Sequence, residues 1–500
     1  MSAPEDRAEG GRGPVGHIIR DTVGYLPAAV LPGIFSLASS AIFTRIFPPS
    51  EYGVYTLLGA VTGPVLSLTA QPAAQAVQRY LAEYEHRGLL EEYRHAVSWL
   101  ATVTLALVLV LSSAALLVWP LIHGSSVSEM ALAGAMAGLW ASILYNILTP
   151  ALMAGIQVGA FRAAAIWSRG LSLVIPLLLL AFFGHHIAWI LWGNAAAVVI
   201  TLPYLLRRAN VLRWPGHLSE LARDTLKRFW AYGAPMTFWF FSSSILSVGD
   251  RWVIDIYHGT AQVGLYGASR RLATQGVALL LSPVLNATGP RLLRQWAAGE
   301  RDGVRRTMAR MTNVFLMVGV GLIGLMAASG RALVDILLAH AFRPGAAVLV
   351  PIIAGVVVWD VSRIGHKSME FVEKNSLMVW DVLVAAGINM GLNILLVPRY
   401  GFVAAGYATL ISYIVYTALV WYQARSLVPW DIAWADLGAY LGAAAIAWGV
   451  TDVLILQHHW SRFVVLFLSG AVFLIVYGAV TALYLRRRLQ DLLGSLMPRR

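Results

Sequence analysis

Arg169 is the one charged residue between Ala163 and Phe183, a stretch otherwise built from apolar and small side chains. A guanidinium there is suited to hold two phosphate oxygens at once, through a planar fork that keeps its charge. The competing use is a pair with a carboxylate or carbonyl of a neighbouring helix. Arg270 and Arg271 follow one another in a second apolar stretch, and Asp250 with Arg251 mark the end of a third. Consecutive helical residues diverge by about 100°. Arg270 and Arg271 are therefore expected to part, one toward an interior and one snorkelling to the headgroups. For Asp250 and Arg251 an outer gate competes with an interfacial anchor. Asp360 and Arg363 share a helix face at i,i+3; they read as an intrahelical ion pair lining the cavity or as a proton- or ion-sensitive switch. Gln71, Gln75 and Gln78 fall at i, i+4 and i+7, with Arg79 continuing the sector. Their amides donate and accept, which suits a hydroxyl-rich ligand or, equally, packing between helices. Asn389 and Asn393 repeat the i,i+4 spacing. Arg20, beside Asp21, stands where it can greet an incoming anion or anchor the first helix.

Nothing in this set performs covalent chemistry. The chain has no cysteine, which excludes disulfides, thiol nucleophiles and cysteine metal sites. His185-His186 and His458-His459 are plain neighbours without HExxH or other ligand spacing, so no metal and no cofactor is expected. These residues bind; they do not react.

The elements that must carry them are membrane helices. The chain is 58% hydrophobic and 12% charged, with mean hydropathy +0.68. About fourteen apolar stretches, mostly near 20 residues, follow one another with short polar breaks, the length a helix needs to cross a bilayer. They start near residues 21, 52, 97, 129, 160, 187, 229, 264, 309, 345, 376, 401, 433 and 461. Runs such as Leu171 to Phe183 lack the alternation of a barrel strand, and lipid admits only helices or closed barrels. The fold class is an all-α polytopic membrane protein. An ionisable group at the centre of such a helix costs about 2.5–3.5 kcal/mol on insertion scales, so it faces an interior or a partner.

Charge placement orients the chain. Most of the 37 Lys and Arg lie in the N-terminal tail, the even-numbered loops and the C-terminal tail. By the positive-inside rule both termini are cytoplasmic. The net charge of +12 is thereby a matter of topology; no extramembrane domain is left to bind nucleic acid. The N-tail has no apolar core with a cleavage site, and its glycines follow no strand, so neither a signal peptide nor a phosphate loop is expected. The outer connections are short, the longest running from about Gly330 to Pro344, too little to hold an acceptor and a catalytic acid or base. A weak repeat joins the halves: Pro27 with Gly53-Val54-Tyr55, then Pro235 with Gly264-Leu265-Tyr266. Two halves on one plan are the trace of a two-lobed transporter.

Three segments in order carry a family resemblance: FTRIFPPSEYGVYTLLGAV (Phe43 to Val61), YGAPMTFWFF (Tyr232 to Phe241) with GDRWVIDIYHGTAQVGLYGASRRLA (Gly249 to Ala273), and VPRYGFVAAGYATLISYIV (Val397 to Val415). They resemble the first outer hairpin, the seventh and eighth spans and the twelfth span of bacterial oligosaccharide flippases, the Wzx-type polysaccharide exporters. The resemblance implies the superfamily that also holds multidrug exporters and lipid II flippases. It implies two six-helix lobes around a central cavity, two extra C-terminal helices and alternating access. On this plan residues 1–20 are a tail, 21–206 the N-lobe, 207–228 a linker, 229–424 the C-lobe, 425–486 the extra helices and 487–500 a basic tail.

The implied cargo is a polyprenyl-pyrophosphate-linked oligosaccharide, moved from the inner to the outer leaflet of the bacterial cytoplasmic membrane for surface polysaccharide. A polymerase partner and H+ or Na+ coupling go with it. Substrate candidates are Arg169, Arg270, Arg271, Arg363, Gln71, Gln75, Gln78, Arg79 and Arg20; gating or ion-coupling candidates are Asp360, Asp250 and Arg251. One alternative is a cation-coupled multidrug antiporter of the same superfamily, disfavoured because the spans hold more arginine than carboxylate. The other is a membrane glycan polymerase or ligase, disfavoured by the short outer connections.

Overall fold

The computed structural model describes residues 14–123, 127–155, 157–214, 220–458 and 460–496, and every regular element among them is a helix. The helices are α1 (Pro14–Ile46), α2 (Pro49–His86), α3 (Leu90–His123), α4 (Glu129–Ala154), α5 (Val158–Phe183), α6 (Ala188–Ala209), α7 (Glu220–Ala297), α8 (Arg301–Leu337), α9 (Leu349–Phe371), α10 (Asn375–Tyr400), α11 (Phe402–Ala424), α12 (Trp434–Thr451) and α13 (Arg462–Leu496). Eleven are long and apolar enough to cross a membrane, and Val30–Ile46 is a shorter apolar helix. The very long α7 is two rods, 220–258 and 260–297, folded at Gly259 (φ 76°). Glycine reaches that left-handed region without the Cβ clash. Counted this way, fourteen rods stand where the hydropathy placed fourteen spans.

Local chemistry sets the breaks. Pro49 opens α2, where a missing N–H costs nothing. Ser128 caps α4 by accepting from the Ala131 N–H at 3.2 Å. Short connections make neighbouring rods antiparallel, so each end of the bundle has a fixed character. We call the end with the Lys/Arg-rich loops the basic face and the other the far face. The stretch from Gly330, expected as the longest outer loop, is instead mostly structured: α8 runs on to Leu337, and His340–Val348 forms a 3-10 helix.

α1 through α6 pack among themselves, α7 through α11 likewise, and α12 with α13 lies on α8. Gly321 and Gly324 make that last contact possible. A Cβ on Gly321 would stand 2.7 Å from the Tyr477 ring, and one on Gly324 2.5 Å from Phe473. The two groups meet along α2 and α7. At the far face α2 crosses the second rod of α7 backbone to backbone: a Cβ on Gly53 would overlap the Thr260 carbonyl, and one on Gly264 the Pro49 carbonyl. The contact is reciprocal, and its two glycines are the ones the sequence repeat aligned. At the basic face α2 meets the first rod of α7. Tyr80 stacks on Phe229 with centroids 5.3 Å apart, Tyr84 Oη donates to Thr225 Oγ1 at 3.1 Å, and Arg228 grips Glu83 at 2.9 Å.

Candidate functional site

Between these two contacts lies a cavity of about 790 Å³, walled by α1, α2, α4, α5, α6 and both rods of α7. Small residues open it: Gly59, Gly63 and Gly138 line it in place of bulk, while Gly134 lets α4 approach Leu191 and Trp192 of α6. Its chemistry is one-sided. Arg169, Arg251, Arg270 and Arg271 all line it, and no Asp, Glu or Lys does among the described residues.

Each cation is held differently. Arg270 is 4% exposed and stands 3.6 Å from Asp250, which is fully buried behind the wall. Tyr266 Oη donates to Asp250 Oδ2 and accepts from Arg270 Nη1, the latter at 3.1 Å. Arg271 points elsewhere: both its Nη atoms donate to Tyr55 Oη at 3.1 Å. The phenol fixes the direction in which Arg271 points, against the cavity wall. Arg169 and Asn194 lie beside the same phenol. Arg251 sits among Arg270, Arg271 and Asp250, and its Nε is buried without an acceptor. Several guanidiniums sharing one buried carboxylate repel one another in a low dielectric, and a bound anion relieves that repulsion.

A family model described as a polysaccharide biosynthesis protein matches residues 19–296, more than half of the chain. The chain belongs to that family. No curated protein matches it closely. Among solved structures it is similar to the lipid II flippase MurJ in an inward-closed conformation, with TM-score 0.75 and 12% identity over 92% of this chain and 98% of that one. It is also similar to an inward-facing multidrug resistance transporter of the MATE family (TM-score 0.63, 15% identity, 81% and 97% covered). A third match is the Vibrio cholerae MATE transporter VcmN (TM-score 0.60, 12% identity, 82% and 96% covered). At such identities the likeness shows the fold. The neighbours are a flippase and two transporters, and this family member, with eleven helices long and apolar enough to cross a membrane, is a multi-pass membrane protein.

The structure of this polysaccharide biosynthesis protein departs from the sequence reading in several particulars. Arg270 and Arg271 do diverge, but neither snorkels: the helix turn sends one to Asp250 and the other to Tyr55, and both remain at the cavity wall. Arg251 is on the wall too rather than at an interface. Asp360 and Arg363 form the intrahelical pair, at 3.4 Å, on the basic half of α9 and away from the cavity. Gln75 Nε2 donates to Gln71 Oε1 at 3.3 Å, so these amides answer each other across one turn. Gln78 and Arg79 are exposed beyond them, Arg79 lying 5.7 Å over the Tyr80 ring. The side chain of Arg20 lies outside the described residues. Tyr52, Tyr55, Tyr145, Asn146 and Asn194 were missed and line the cavity. Single tyrosines and asparagines are ordinary in apolar spans; the one hint was Tyr55, which the Gly-Val-Tyr repeat had already picked out.

Proposed function

We propose that this protein flips a polyprenyl-pyrophosphate-linked oligosaccharide from the inner to the outer leaflet of the bacterial cytoplasmic membrane, by alternating access of lobes 21–206 and 229–424. One observation carries the reading: a cavity among the spans with four arginines and, among the described residues, no acid on its wall. A diphosphate diester brings the negative charge that this cluster lacks, and arginine forks match its oxygens. The tyrosine, asparagine and serine side chains around the arginines supply donors and acceptors for the first sugars. A volume of about 790 Å³ suits the diphosphate and a few sugar rings, while the apolar tail stays in lipid. A cationic drug would find repulsion here, so the acid-free wall weighs against the antiporter reading.

Both termini lie in the cytoplasm on this reading, so the basic face is the loading side. Coupling to an ion gradient, and delivery to a polymerase at the far face, belong to the same proposal. The test is depletion in the native host, followed by treatment of intact cells with a membrane-impermeant glycan-modifying reagent. Inner-leaflet accumulation of one lipid-linked oligosaccharide, reversed by restoring the gene, is expected. Arg169→Ala should not reverse it despite normal membrane abundance. Unchanged lipid-linked sugars on depletion would overturn the proposal.

A further inference from the structure

Asp381 on α10 is a buried acid that the arginine cavity does not use. Its side chain is 2% exposed, about 9 Å along the helix from Asn375 at 1.5 Å per residue. Gln423 of α11 donates from Nε2 to Asp381 Oδ1 at 2.6 Å. The two remaining oxygens, Asp381 Oδ2 and Gln423 Oε1, are both buried without a partner. An acid and an amide that already share one hydrogen bond can share a second if a proton sits on the acid. Oδ2–H then donates to Oε1, and the pair closes into a ring in which both oxygens are satisfied. With the proton gone, a carboxylate is left in the bundle with one neutral donor, a costly state.

The surroundings supply no other counter-charge. No Lys, Arg or His among the described residues bonds to Asp381, whose Oδ1 is held by Gln423 and whose Oδ2 has no partner. The titratable group facing it from α11 is Tyr416. Tyr416 Oη is bonded in turn to His366 Nε2 of α9 at 2.6 Å and accepts from Trp239 Nε1 of α7 at 3.2 Å. Exposed Glu373 and Lys374 stand just ahead of α10. A metal cation is a poor occupant, because two oxygens fall well short of the six or more that hard cations take.

We infer that Asp381 and Gln423 form a proton-binding site, separate from the arginine cavity, which ties α10 to α11 when occupied and is emptied to water once in each transport cycle. The site makes transport depend on the proton gradient; that tie to transport rests on the flippase reading, whereas the bound proton does not. The bond made is Oδ2–H, and the proton is exchanged with bulk water, so no further reactant is needed. Asp381→Asn keeps the shape and both hydrogen bonds and freezes the pair as if permanently protonated.

Infrared spectroscopy of the purified full-length protein at neutral pH tests the site without any cargo. A protonated-carboxyl band that shifts on carbon-13 aspartate labelling is expected in wild type and in Asp250→Asn, and is expected to vanish in Asp381→Asn. Absence of the band from wild type, or its survival in Asp381→Asn, overturns the site. The coupling is tested in cells by the leaflet assay with and without a protonophore. Wild-type export should fall about tenfold or more when the gradient collapses, within the range ordinary site-to-site coupling supplies. Asp381→Asn at equal abundance should lose that dependence. A variant that keeps the full protonophore response would overturn the coupling role. If wild type moves no lipid-linked glycan at all, the flippase reading fails, and the infrared band still decides whether the proton is bound.

Discussion

Asp250 and Arg270 show how a single pair can serve both the fold and the site. Asp250 cancels part of the charge in the arginine cluster, and Tyr266 bridges the two side chains. Removing one partner of such a pair leaves the other charged and buried. Asp250→Asn is therefore expected to lose about 3–5 kcal/mol of stability, read as a lower unfolding temperature in detergent. Asp250→Asn combined with Arg270→Met should recover part of the loss. A single variant as stable as wild type would show that Arg270 finds its partner elsewhere. Arg271 differs: a phenol rather than a carboxylate fixes its direction.

Among elements, α2 and α7 matter most, because they meet at both faces and the cavity lies between the contacts. Gly53→Ala or Gly264→Ala puts a methyl group onto a backbone carbonyl at the far-face crossing, where no side chain can give way. The crossing should stay open. The chain has no cysteine, so Ser142→Cys on the cavity wall gives a clean reporter. With either alanine, an impermeant thiol reagent added outside intact cells should label Cys at 142 several-fold faster; unchanged labelling would mean that the far side closes elsewhere.

Helix starts were legible in the sequence, since lipid thickness and proline or glycine punctuation leave little choice about where a rod begins. The arginines were legible as well, because a charge in an apolar run demands an explanation. The glutamine stripe on α2 stays ambiguous for a physical reason: Gln75 donates to Gln71 one turn away, and periodicity alone cannot tell such a pair from a face offered to a ligand. The fold within α7 was legible too: starts near 229 and 264 require a break between them, and the glycine of the polar HGTAQ stretch, Gly259, makes it by its φ of 76°.

For the whole molecule, the charge asymmetry makes a prediction independent of any cargo. Reporters that work only in the cytoplasm should be active when fused after Arg500 or ahead of Met1, and inactive when inserted at His185 between α5 and α6. The opposite pattern would invert the transport direction proposed above. The reciprocal crossing of Gly53 and Gly264 has one more consequence. At those two glycines main chain meets main chain, so the crossing itself depends on no side-chain identity beyond the two glycines. Chamber side chains such as Tyr145 or Asn194 can be exchanged while that crossing keeps its shape, which on the proposed function lets the cargo change without it. Under that proposal cargo choice and closure are separately heritable, and a lineage can diversify the chamber while keeping one inherited crossing.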